Sequence, residues 1–154
     1  MNIALGVDHA AFSYKDAIRR ELEALGHHVL DVGTNGTESV DYPRYALAVA
    51  RAVRGGEADL GIFLCGTGIG GSIAANKVPG IRAALCHEAF TARMSRLHNN
   101  ANVLCMGARV IGLDLALEIV RTWLAAPWSE DARHARRLTM IADAEAEAHQ
   151  PVRA

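Results

Sequence analysis

Short apolar runs alternate along this chain with stretches in which apolar residues recur every three to four positions. The runs at 1–7, 28–32, 60–65, 81–86 and 102–106 predict five strands. Between the first two, Ile18, Leu22 and Leu25 fall at helical spacing, which predicts a helix over 12–25 closed by Gly26. Asp41, Tyr42 and Pro43 open a helix that runs to about 53. Asp41 suits a cap, Pro43 is tolerated in a first turn, and Gly55 and Gly56 stop the helix. Shorter helices are predicted over 70–76 and 89–97. Leu113, Ala116, Leu117, Val120 and Leu124 line one face of the next. After a break at 127–131, a last helix spans 132–148, and 150–154 reads as a tail expected to fray.

Strands separated by helices imply right-handed crossovers and a parallel sheet, so the expected class is α/β: a three-layer αβα sandwich around a five-stranded parallel sheet. No linker, repeat or low-complexity segment interrupts the pattern, and residues 1–149 read as a single domain. In such sheets ligands bind beyond the carboxyl ends of the strands. That rule gathers Asp8 and His9, the loop after Cys65, the group Cys86, His87 and Glu88, and the turn after Met106 on one edge.

Composition narrows the function classes. The chain has 154 residues, 51% hydrophobic content and a formal net charge of −1. That describes a soluble globular protein and gives no support for nucleic-acid binding. Aromatic content of 5% also disfavours base-stacking platforms. No apolar run approaches membrane-spanning length, and the first strand lacks the basic region and cleavage site of a signal peptide. Cys65, Cys86 and Cys105 are odd in number and widely spaced, which suits neither a zinc site nor a disulfide framework. A reducing cytoplasm is the expected compartment.

The densest chemistry lies at 61–72. An apolar strand ends on Cys65, and a glycine-rich turn carrying Thr67 leads into an alanine-rich helix. Backbone N–H groups in such a turn suit an anion. A thiol beside them, if its pKa is lowered there, is a base or nucleophile. The plainer reading of a free cysteine is core packing, and Cys86 and Cys105 are read that way. Asp8 and His9 follow the first strand as either a helix cap with a surface histidine or ligand-edge groups. Gly66, Gly68 and Gly71 also match a dinucleotide motif, with Glu88 as the ribose acid, although that motif normally sits at the first strand. His98 lies near a helix end, where the dipole favours a cation. Arg133 and Arg137 share a helix face, as a solvated basic surface or as an anion clamp.

Taken together, ordered blocks along the chain resemble the sugar-phosphate isomerases that include type B ribose-5-phosphate isomerase and the galactose-6-phosphate isomerase subunits. The blocks are Asp8-His9-Ala10, Asp41-Tyr42-Pro43, Cys65-Gly66-Thr67-Gly68-Ile69-Gly70, Ala74-Ala75-Asn76-Lys77, Gly80-Ile81-Arg82-Ala83, Ser95-Arg96-Leu97-His98-Asn99, Ala101-Asn102-Val103-Leu104 and Gly107-Ala108-Arg109-Val110-Ile111-Gly112. The resemblance implies a Rossmann-like fold and aldose–ketose interconversion through an enediol(ate), with neither metal nor organic cofactor. It implies Cys65 as the base; a second branch of the family instead uses a glutamate at the place of Gly71. His98 falls on the acid that opens the sugar ring, with Thr67 assisting, and Asp8 on the group handling the O1 and O2 protons. Gly66, Thr67, Gly68, Ile69 and Gly70 fall on the anion hole. His9, Asn99, Arg109, Arg133 and Arg137 fall on substrate or phosphate positions. The resemblance further implies a homodimer or higher homo-oligomer in which His98, Asn99 and Arg109 enter the site from a second subunit. Ala11 replaces the usual glycine, and the 128–132 loop is one residue longer than in close relatives. The expected substrate is a phosphorylated sugar, ribose 5-phosphate first, with tetrose and hexose phosphates open. A dinucleotide-binding enzyme and a non-catalytic partner subunit are the other readings.

Overall fold

Period-two alternation sorts the residues of each central strand onto the two faces of a sheet, and the helices collect on whichever face the chain last crossed. The structure is a computed structural model that describes residues 1–148, so the tail expected at 150–154 and the domain end at 149 lie outside the described residues. The elements run β1 (Asn2–Val7), a single 3-10 turn (His9–Ala11), α1 (Phe12–Ala24), β2 (His28–Asp31), α2 (Tyr42–Arg54), β3 (Leu60–Cys65) and α3 (Ile69–Ala75). They continue with β4 (Ala83–Leu85), α4 (Ala89–Asn99), β5 (Val103–Gly107), α5 (Leu113–Ala125) and α6 (Ala132–Ala148). All strand pairs are parallel, in the order β2-β1-β3-β5-β4. This is the expected αβα sandwich with a five-stranded parallel sheet.

Ile3, Leu5, Val7, Ile62, Leu64, Leu104 and Met106 face one layer, made by Ile18 and Leu22 of α1, Ala92 of α4, and Ala116, Ile119, Val120 and Trp123 of α5. Ala4, Phe63, Cys65, Val103 and Cys105 face the other, made by Ala46, Val49 and Ala50 of α2 and Ala75 of α3. Each fully buried Leu, Ile or Phe side chain contributes about 1.5–3 kcal/mol to folding. Trp123 is the largest of them. Its indole N–H donates to Ser95 Oγ at 3.2 Å, and the Arg96 guanidinium lies 5.5 Å above its ring. These contacts lock α5 to α4, and with them the helix end that carries His98.

Two local expectations change. The strand predicted at 81–86 shortens to Ala83–Leu85, because Arg82 is used otherwise. Its backbone N–H donates to Asn102 Oδ1 at 2.8 Å, and its Nε donates to the carbonyls of Asn99 and Asn100. Asp41 stands at the cap of α2, but its side chain makes no capping hydrogen bond.

The strand order locates the ligand edge. From β1 the chain goes to β2 on one side, and β3 then returns to the opposite side of β1. With right-handed crossovers, α1 and α2 therefore lie on opposite faces, and the connections leaving the carboxyl ends of β1 and β3 diverge. A crevice opens at that switch point. Its walls are the residues after Val7 and the residues after Leu64, which are paired in register.

Candidate active site

Asp8 and Cys65 stand at the two sides of this crevice. Asp8 is buried. Its N–H donates to the Leu64 carbonyl at 3.1 Å, and its Oδ1 accepts the N–H groups of Ala10 and Ala11 at 2.9 and 3.2 Å. It therefore does cap the 3-10 turn, and that cap also fixes the carboxylate at the mouth of the cleft. Lys15 braces the adjoining loop. Buried on α1, it pairs with Asp31 at 2.7 Å and donates to the Thr34 carbonyl at 2.8 Å and to Asn35 Oδ1 at 3.1 Å. That loop ends at Val40, whose N–H donates to His9 Nδ1 at 3.2 Å. With Nδ1 accepting, a neutral His9 carries its proton on Nε2.

Cys65 ends β3 and is buried, 4% exposed as a residue. The N–H of Gly68 donates to its Sγ at 3.2 Å. Gly68 reaches that position only by taking φ +76°, a conformation disfavoured for residues with a Cβ. Thr67 stands exposed at the rim, and its Oγ1 accepts the Ile69 N–H at 3.4 Å. The turn after β5 is zipped to the same loop: Ala108 N–H donates to the Cys65 carbonyl and Arg109 N–H to the Gly66 carbonyl, both at 2.9 Å. The Arg109 side chain consequently lies over Gly66.

The result is a cleft of about 490 Å³ lined by Asp8, Tyr42, Cys65, Gly66, Thr67, Ile69, Gly70, Ile73 and Arg109. It unites a carboxylate, a thiol, a hydroxyl, a guanidinium and the leading turn of α3. Within one chain, Arg109 itself lines this cleft. Tyr42 went unnoticed as a site residue because Asp41-Tyr42-Pro43 reads as a helix start. The signal was positional, since the start of α2 lies on the ligand edge. Its ring fits because residue 70 is glycine; a Cβ there would lie 2.5 Å from the Tyr42 ring.

The remaining candidates collect elsewhere. His98 is exposed on the last turn of α4, and its ring stacks on His134 of α6 with centroids 4.4 Å apart. Arg133 donates from its guanidinium to His134 Nε2 at 3.3 Å. Arg137 follows on the same helix, and Asn99 passes its carbonyl to Arg82. None of His9, His98, Asn99, Arg133 and Arg137 lines the cleft that holds Cys65. Burial holds the His134 imidazole below the usual histidine range, helped by the neighbouring His98, Arg133 and Arg137 and opposed by Asp131.

The dinucleotide alternative loses its acid. Both Glu88 carboxylate oxygens are taken by the N–H groups of Phe90 and Thr91, at 2.6 and 2.7 Å, as the cap of α4. β5 also intervenes between β3 and the strand that Glu88 follows.

A parallel αβα sandwich with a thiol, a carboxylate and an arginine at its switch-point cleft defines an enzyme for a small anionic substrate. Residues 3–141 match the ribose/galactose isomerase family model, and the chain belongs to that family of aldose–ketose isomerases. It is 52% identical over 139 residues to ribose-5-phosphate isomerase B of Escherichia coli, covering 90% of this chain and 93% of that protein. It is 44% identical over 144 residues to D-erythrulose-4-phosphate isomerase 2 of Mycolicibacterium smegmatis, covering 92% and 95%. Among solved structures, a ribose-5-phosphate isomerase B from Clostridium thermocellum superposes with a TM-score of 0.94 at 54% identity, covering 96% of this chain and 99% of that one.

Proposed function

We propose that this chain interconverts ribose 5-phosphate and ribulose 5-phosphate through an enediol(ate), with Cys65 as the base. The observation that carries the proposal is Cys65 in the switch-point cleft that Asp8 also lines, its sulfur receiving the Gly68 N–H. From aldose to ketose, the Cys65 thiolate removes the proton from C2. The C2–H electrons form the C1–C2 double bond, and the carbonyl pair moves onto O1. The N–H groups of the 66–70 loop stabilise that charge. Asp8 takes the proton from O2 and delivers one to O1, and return of the Cys65 proton to C1 completes the ketose.

His98, assisted by Thr67, opens the sugar ring before this step, and Asn99 holds a sugar hydroxyl. His9, Arg109, Arg133 and Arg137 hold the phosphate, whose binding energy orients the reacting carbons. His98, Asn99, Arg133 and Arg137 serve the cleft of a second copy, so a homodimer is the smallest working unit. Exposed apolar residues at the cleft support such a cover: Ile69 and Ile73 one turn apart on α3, and Val110 beside Arg109. Three free cysteines suit a reducing cytoplasm. The similarity to an erythrulose-4-phosphate isomerase favours a tetrose phosphate as the second substrate to consider.

The test is turnover of four-, five- and six-carbon aldose and ketose phosphates by the purified chain and by Cys65→Ala. Highest kcat/KM on ribose 5-phosphate, with turnover abolished in the variant, is the expected result. Higher kcat/KM on a tetrose phosphate reassigns the substrate, and near-normal turnover by Cys65→Ala removes the mechanism.

A further inference from the structure

One ring face of His98 is covered by another imidazole. The His98 and His134 rings stack with centroids 4.4 Å apart and planes within 16° of each other. His134 is buried, whereas His98 is exposed. The contact is built from several directions. The loop between α5 and α6 crosses the end of α4, where Ser129 N–H donates to the Leu97 carbonyl at 3.4 Å. Asp131 then starts α6: its Oδ1 accepts the Arg133 N–H at 2.8 Å, and its carbonyl accepts the His134 N–H at 2.9 Å. Trp128 meets the His134 ring edge-on, at 6.4 Å and 60°. An arginine can only donate, so the contact from Arg133 makes His134 Nε2 an acceptor and places the ring's single proton on Nδ1.

We propose that His134 is a positioning residue for His98: its ring fixes the plane in which His98 is presented to the sugar of the neighbouring copy. The proposal rests on the reading of His98 as the ring-opening acid. Two stacked rings that both carried charge would repel. Burial, His98, Arg133 and Arg137 lower the His134 imidazole's affinity for a second proton, against the opposing carboxylate of Asp131. His134 thus offers His98 a stacked ring face on which charge is disfavoured. Its Nε2 also holds Arg133, so one side chain orders both a proposed acid and a proposed phosphate ligand.

Two variants separate these duties. His134→Ala removes the ring and should lower kcat by about 10- to 100-fold through misplacement of His98. His134→Phe keeps an aromatic face and should recover most of kcat, while KM stays raised because Arg133 has lost its acceptor. The second readout needs no turnover. The imidazole NMR signals of His98 should carry a ring-current shift from His134, kept in His134→Phe and lost in His134→Ala. In the wild type, the His134 signals should titrate below the usual histidine range. Unchanged kcat together with unchanged His98 signals in His134→Ala would overturn the proposal. So would equal loss of kcat in the two variants when both keep the native circular dichroism spectrum. If the wild type turns over no sugar phosphate, the isomerase reading falls, and the NMR comparison alone decides the contact.

Discussion

Gly68→Ala probes the loop on which the proposed chemistry depends. Two costs can be worked out from the structure. The first is conformational: residue 68 has φ +76°, where an alanine pays about 1–2 kcal/mol. The second is steric. The new methyl would lie 2.5 Å from Leu85 Cδ1 and 2.8 and 3.0 Å from the carbonyl carbon and oxygen of Met106. Leu85 can turn aside, but the Met106 backbone is fixed in the sheet, and overpacking of this kind costs about 1–3 kcal/mol. The sum is roughly 2–5 kcal/mol, a drop in Tm on the order of 10 °C for a chain of this size. Gly26→Ala is the control, because residue 26 has φ +79° with nothing within 4 Å of the added carbon. It should show the conformational cost alone. The loop shift also pulls the Gly68 N–H from Cys65 Sγ, and a displacement of about 1 Å at a catalytic group costs about 100-fold in rate. Urea unfolding and steady-state kinetics on both variants test this. If Gly68→Ala loses no more stability than Gly26→Ala and keeps its kcat/KM, the steric and positional reasoning is wrong.

Mixing inactive Cys65→Ala with inactive His98→Ala should restore partial activity through hybrid sites, whereas full activity from a strictly monomeric chain would refute the shared site. Arg133→Ala and Arg137→Ala should each cost about tenfold to hundredfold in kcat/KM for the phosphorylated sugar, as expected for a lost charged hydrogen bond of roughly 1.5–3 kcal/mol; unchanged values in both would leave a solvated helix face. Cys105 is fully buried, and burial pushes its thiol up, so Cys105→Ala should keep most activity, and the native protein should resist thiol reagents at this position near pH 7. Acid unfolding has a definite sign. Hydrogen bonds from Arg121, from Thr91 and from the Arg133 N–H hold Glu21, Glu88 and Asp131 below the usual carboxylate range, so their stabilisation is present above about pH 4 and is lost as pH falls through the depressed values. His134 acts earlier: its folded value is lowered, so the unfolded chain binds the extra proton first and stability starts to fall below about pH 6.5, a loss that His134→Phe should remove.

Hydrophobic periodicity alone determined the five strands, the helices and the α/β class, because these depend on neighbours within one turn or one strand. Cys65 and its glycine turn were equally legible, since a strand end, a thiol and a reversing loop are adjacent in the chain. The α6 bounds agree with the pattern at 132–148, and β3 with the apolar run at 60–65. Strand order was not legible, because pairing depends on contacts between distant segments that no local pattern encodes. That order sets β1 beside β3 and β5 beside β3, and so brings Asp8, Cys65 and Arg109 to one cleft. The same tertiary packing gathers His98, Arg133 and Arg137 around His134, outside the lining of that cleft. Tyr42 and His134 acquire their surroundings only there: one from the close approach of α2 to Gly70, the other from a loop that folds α6 back onto the end of α4. Local pattern chose which residues could do chemistry, and long-range packing chose which of them meet.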